Sequence, residues 1–173
     1  MRRVFGWLIC VVVAVIACSK PVGVTITPEE QLANDLKLID DYLTLYNVES
    51  VKHDSIRYVI HELGTGEAAG PGKCVRFKYH AYSLFDTLEF DHNDDGYKTP
   101  YKNLIIGMRI AMKELPMGTK ATIYIPSGLA YGPAGNYDSY NQVFIVNPNT
   151  NLRFDVETME LYDFNSLGNY CYE

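Results

Sequence analysis

With 173 residues, the chain is long enough for one packed domain with appended segments and too short for two full ones. A formal charge of −6, from 15 basic and 21 acidic residues, excludes nucleic acid as a partner, since no basic patch is available to meet a phosphate backbone. Hydrophobic residues make up 47% and Tyr outnumbers Phe 14 to 7, which excludes a largely disordered chain and supplies polar-tipped aromatics for a site.

The first segment is a targeting pattern. Met1-Arg2-Arg3 is positive, residues 4–17 form an apolar run, and Val15-Ile16-Ala17-Cys18 closes it. This resembles a bacterial lipobox, in which the peptide is cut before the Cys and the Cys is acylated. The resemblance makes residues 1–17 a lipoprotein signal peptide, Cys18 the lipid attachment and residues 18–26 a tether. The run is shorter than the roughly 20 residues that a spanning helix needs. The expected location is the bacterial cell envelope, lipid-anchored at the outer membrane and facing periplasm or exterior. With Cys10 removed and Cys18 acylated, Cys74 and Cys171 remain. An oxidising envelope permits a disulfide between them, and two separate thiols are the equal alternative, because spacing alone does not set their Cβ distance.

A helix is predicted over residues 27–47. Thr27 can cap it, Pro28 suits its first position, Glu30 completes a capping box, and Leu32, Leu36, Ile39 and Leu43 recur on one stripe. Short strands follow. Residues 55–60 are β-rich and end in Gly64-Thr65-Gly66 and Gly70-Pro71-Gly72. Val75, Phe77, Tyr79 and Ala81 alternate with polar-tipped or charged neighbours, as do Ala121, Ile123 and Ile125, and then Leu152, Phe154 and Val156. Between the second and third strands, Ile105, Met108, Met112 and Leu115 share a helical face that Pro116 and Gly118 end. Strand, strand, helix, strand, strand predicts an α+β domain, with an antiparallel sheet wrapped around a short helix. Residues 55–162 form that domain and residues 163–173 a C-terminal tail.

Several motifs in this order resemble the FKBP family. Residues 56–66 look like its first strand and Gly-x-Gly turn. Phe77-Lys78-Tyr79 and Phe90-Asp91 resemble its tyrosine strand and Phe-Asp pair, and Leu104-Ile105-Ile106-Gly107 resembles its Val-Ile-x-Gly start of the helix. Ile125-Pro126-Ser127-Gly128-Leu129-Ala130-Tyr131-Gly132 is close to Ile-Pro-x-x-Leu-Ala-Tyr-Gly, and residues 154–157 resemble the final strand. The resemblance implies an FKBP-like sheet with an additional N-terminal helix and a peptidyl-prolyl cis-trans isomerase acting on X-Pro bonds of exported proteins. It further implies chaperone-like binding, proline-containing polypeptides as partners, and no cofactor. Tyr131, Asp91 and Tyr79 take the catalytic roles. Phe90, Leu104, Ile105, Met108, Ile145, Val146 and Phe154 take the substrate-binding ones, with Ile145 and Val146 as an apolar loop wall.

Two departures favour an alternative, a non-catalytic FKBP-like module gripping a peptide or an envelope protein. The family's floor Trp is Met108 here, and the connection from Phe90 to Leu104 is short, without a clear aromatic strand, so Tyr101 is expected to supply the missing ring. The loop from Tyr131 to Phe154 is longer than usual and contains Tyr137 and Tyr140. Asp91-His92-Asn93-Asp94-Asp95-Gly96 fits half of a calcium loop, but Lys102 stands where the bidentate Glu belongs, so a solvated hairpin turn and no metal are expected. The four His lack zinc spacing, and no nucleotide or hydrolase fingerprint is present.

Overall fold

A computed structural model describes residues 26–86, 89–165 and 170–171. The expected signal peptide, Cys18 and most of the expected tether lie outside the described residues. Helix α1, Pro28–Leu45, begins with the capping box in place: the Thr27 hydroxyl accepts from the Glu30 N–H at 3.2 Å, and the Glu30 carboxylate accepts from the Thr27 N–H at 2.9 Å. The strands that follow are β1 (Val51–His53), β2 (Ile56–Glu62), β3 (Lys73–Ser83), β4 (Glu89–Pro100), β5 (Lys120–Ile125), β6 (Asn136–Asp138), β7 (Val143–Val146), β8 (Leu152–Asn165) and β9 (Tyr170–Cys171). Helix α2, Ile106–Glu114, lies between β4 and β5. Among the described residues the main sheet is antiparallel, in the order β1-β2-β5-β8-β3-β4 with β9 pairing the end of β8. Hairpin β6–β7 stands apart from it. This is the predicted α+β fold.

Alternation along the strands gives the sheet two faces, each covered by one helix. On the inner face Met108, Ala111 and Met112 of α2 pack with Val75, Phe77, Ile123, Ile125 and Phe154. On the outer face Ile39 and Leu43 of α1 meet Tyr124 and Leu84. Gly107 lets α2 lie this close to β5, because an added Cβ would stand 2.3 Å from Ile125 Cγ2. Gly107→Ala is therefore expected to cost about 2 kcal/mol through overpacking. A lower denaturation midpoint at unchanged slope would report it.

Two acids fasten α1. Asp35 is buried, its carboxylate bonded to Ser127 and Gln31. Asp40 accepts from Arg57 Nε at 2.9 Å and Lys52 Nζ at 3.0 Å. The Arg57 hydrogen bond holds the Asp40 carboxyl below its ordinary value of 3.8, against a smaller desolvation effect. A depressed folded-state value means that this carboxylate stabilises the fold fully above its ordinary range, and that the contribution is lost as pH falls through the lower folded value. Asp40→Asn is thus expected to flatten the stability profile as pH falls below the ordinary carboxylate value of 3.8 while leaving the profile shape near neutrality unchanged. Denaturant midpoints measured across that range check it.

Strand β4 corrects the sequence reading. The stretch Asp91–Gly96, expected as a solvated hairpin turn, runs through the middle of a strand: Asp91, His92 and Asn93 pair with β3, and residues 94–96 fall in a register irregularity before pairing resumes at Tyr97. Asp, Asn and Gly are poor strand formers, which hid it. They are tolerated because β4 is a sheet edge, and because the register slips between Phe77 and Tyr79 and again between Ala81 and Tyr82 to absorb extra residues. Strand β8 continues past Leu161 to Asn165, and Cys171 on β9 forms a disulfide with Cys74 on β3. The segment read as a tail is therefore tied to the sheet.

Candidate active site

The site lies where β3, β4 and β8 face the start of α2. On β3, the alternation that buries Phe77 also aims Tyr79 inward, and Phe154 on β8 meets it with ring centroids 6.1 Å apart. Consecutive residues of a regular strand point to opposite faces, yet Phe90 and Asp91 both reach the site. The bulge opposite Ala81 and Tyr82 makes this possible. Phe90 meets Phe154 edge-on at 6.4 Å, while Asp91 Oδ2 accepts from the Tyr79 hydroxyl at 2.8 Å. Beside the bulge, the Glu89 carboxylate is bracketed by His80 Nδ1 at 2.5 Å and His92 Nδ1 at 2.6 Å, whose rings stack. The hydrogen bond with Glu89 raises the His80 pKa and lowers that of Glu89, so the pair favours its charged form.

These elements enclose a cavity of about 180 Å³. Tyr79, Phe90, Asp91, Leu104, Ile105, Met108, Tyr131 and Phe154, all expected from the sequence, line it together. Met108, almost wholly buried, forms part of its floor. Ile145 and Val146 do not line it, contrary to expectation. Hairpin pairing turns Val146 into the core, where it is 1% exposed, and leaves Ile145 outward at 43%. Tyr101 is not part of the lining either. It is buried, and its hydroxyl donates to the Arg109 carbonyl at 2.9 Å.

Phe77, Tyr97 and Asn103 also line the cavity and were missed. Tyr97 stacks edge-on against Phe77 and Tyr79 at 5.9 and 6.1 Å, so it supplies the ring expected of Tyr101. The signal that could have found it is its place in a strand, which the acids before it concealed.

The phenols are donors at neutral pH. Burial first, then the Asp91 bond and charge, raise the Tyr79 pKa. Burial and the Asp91 charge raise that of Tyr131, against an opposing hydrogen bond with Asn136. A larger hollow of about 410 Å³ lies among His61, Lys78, Lys120, Asp155 and Glu157, a mixed-charge surface that Tyr79 also borders.

The model of the FKBP-type peptidyl-prolyl cis-trans isomerase family matches residues 65–159, more than half of the chain. The FKBP-type peptidyl-prolyl cis-trans isomerase FkpA of Escherichia coli strain K12 is 33% identical over 107 residues, covering 60% of this chain and 37% of that protein. The chain thus spans little over a third of the length of the curated relative it matches. The crystal structure of Escherichia coli FkpA superposes with a TM-score of 0.62 at 28% identity, over 78% of this chain and 62% of that one. A peptidyl-prolyl cis-trans isomerase from Pseudomonas syringae shares the fold with a TM-score of 0.62 at 24% identity, over 79% of this chain and 98% of that one. By the matched model, the shared fold and the aromatic cavity, the chain belongs to the FKBP-type peptidyl-prolyl cis-trans isomerase family.

Proposed function

We propose that the chain isomerises X-Pro peptide bonds of exported polypeptides in the bacterial envelope, held there by a lipid on Cys18. The observation that carries the reading is the open cavity between Tyr79, Met108 and Phe154, which neither Tyr101 nor the long loop fills. Rotation about an X-Pro bond must cross a barrier of roughly 18–20 kcal/mol, set by the partial double bond. The twisted amide is less charge-separated than the planar one, so a dry aromatic pocket favours it, and lowering the barrier by about 4 kcal/mol gives roughly a thousandfold. The prolyl ring rests on Met108 between Tyr79 and Phe154. The Tyr131 hydroxyl donates to a substrate carbonyl and holds the chain while the bond turns. Asp91 orients Tyr79 from the rim.

The disulfide between Cys74 and Cys171 supports an oxidising compartment, in keeping with the lipobox pattern. Tyr137, Tyr140, Val143, Phe144 and Ile145 on and around hairpin β6–β7 are exposed beyond the cavity, which supports chaperone-like holding of unfolded segments. Met108, in place of a flat rigid floor, favours a second reading in which the pocket grips a peptide or an envelope partner without turnover.

The test is the isomerisation rate of short X-Pro peptides with the whole protein, beside Tyr131→Phe. Acceleration that weakens in the variant supports the enzyme. Its absence at high protein concentration, with peptide still bound, supports the second reading.

A further inference from the structure

We propose that Asp35, on helix α1, is a positioning residue for the pocket, fixing the turn that carries Tyr131. This deepens the reading above and rests on it for its catalytic part. Helix α1 lies outside the region matched by the family model. Asp35 is 1% exposed, and its carboxylate bonds into a different segment of the chain. Oδ2 accepts from the Ser127 backbone N–H at 3.0 Å and the Ser127 hydroxyl at 2.6 Å, and Oδ1 accepts from Gln31 Nε2 at 2.8 Å. The Ser127 N–H is shared with Asn151 Oδ1 at 2.9 Å, and Asn151 Nδ2 donates to the Asp35 carbonyl. The buried carboxylate therefore joins α1 to the turn after β5, and Asn151, just before β8, bonds both through the Asp35 carbonyl and the Ser127 N–H.

The turn so held is Ser127–Leu129, and Ala130 and Tyr131 follow it directly. Leu129, Ala130 and Tyr131 pack against the main core, so the placement of Ser127 is passed along a short, packed stretch to the Tyr131 ring. Burying a carboxylate is unfavourable unless donors converge on it, and apolar contacts of Ile39 and Leu43 already dock the helix. What Asp35 adds is a fixed location for Ser127. Asp40 provides an internal control, because it fastens the same helix to Arg57 and Lys52 on β2 and β1, away from the Tyr131 turn.

The experiment compares Asp35→Ala, Asp35→Asn, Ser127→Ala and Asp40→Ala in the full chain, using NMR of labelled tyrosine rings, with Tyr131 assigned by Tyr131→Phe, and isomerisation kinetics. Displacing the Tyr131 ring is expected to lower kcat/KM about tenfold in Asp35→Ala and to shift the Tyr131 ring signals. Asp35→Asn, which keeps one acceptor oxygen, is expected to recover part of both, and Ser127→Ala to fall between. Asp40→Ala is expected to leave the Tyr131 signals in place. The proposal is overturned if the Asp35 variants leave those signals unmoved, or if Asp40→Ala moves them equally. Should Asp35→Ala not fold, Ser127→Ala and Asp35→Asn decide by the same criterion. The ring signals answer for Asp35 even where the unaltered protein shows no turnover, so failure of the isomerase reading is told apart from failure of this one.

Discussion

Asp91→Ala is expected to lower kcat/KM on X-Pro peptides by roughly tenfold to a hundredfold, with little change in stability. The carboxylate sits exposed on the edge strand β4, so its removal leaves no cavity in the core. It does remove the acceptor of the Tyr79 hydroxyl, whose oxygen lies 2.8 Å from Asp91 Oδ2. A half-buried phenol without a partner costs about 1–3 kcal/mol, and Tyr79 recovers that only by turning or by drawing water into the pocket. Either response harms catalysis by a dry wall more than it harms folding. Steady-state rates beside a denaturation curve separate the two, and an unchanged kcat/KM would remove Asp91 from the mechanism.

Removal of the disulfide is expected to lower stability more than any other substitution considered above. Cys74 and Cys171 are 97 residues apart, and in the chain-entropy account a loop of that size stabilises by about 4.7 kcal/mol. Cys171→Ser is expected to lose that amount, a fall in Tm of roughly 15 °C for a domain of this size. A reducing agent should bring the unaltered protein to the same Tm and leave the variant where it is. If reduction costs nothing, the bond does no more than fasten β9. The effect also reaches the site by a short route, since Cys74 is paired with Pro100 on β4, and Tyr101, Asn103 and Leu104 follow.

The parts legible in the sequence were those with local signals. The capping box of α1, the alternation of β3, β5 and β8, and the ordered FKBP-like motifs each occupy a few adjacent residues, and the fold class follows from them. Strand β4 was hidden because its composition says turn, and only pairing with β3 makes it a strand. Tyr97 and Tyr101 exchanged parts for the same reason. Ile145 and Val146 were misplaced because a hairpin inserted in the long loop sets which of two neighbours faces inward. The bond between Asp35 and Ser127 joins residues 92 apart, and nothing in either segment announces the other.

The edges of the main sheet bear on the proposed handling of extended polypeptides. One edge, β1, is three residues long, and the other, β4, carries two register irregularities and a run of acids. Unpaired strand edges invite any exposed β-prone segment to add itself as another strand, which starts aggregation. Short, bulged and charged edges deny a guest polypeptide that template. Under the proposed function, a peptide is then held by its side chains in the aromatic cavity and leaves again without being woven into the sheet.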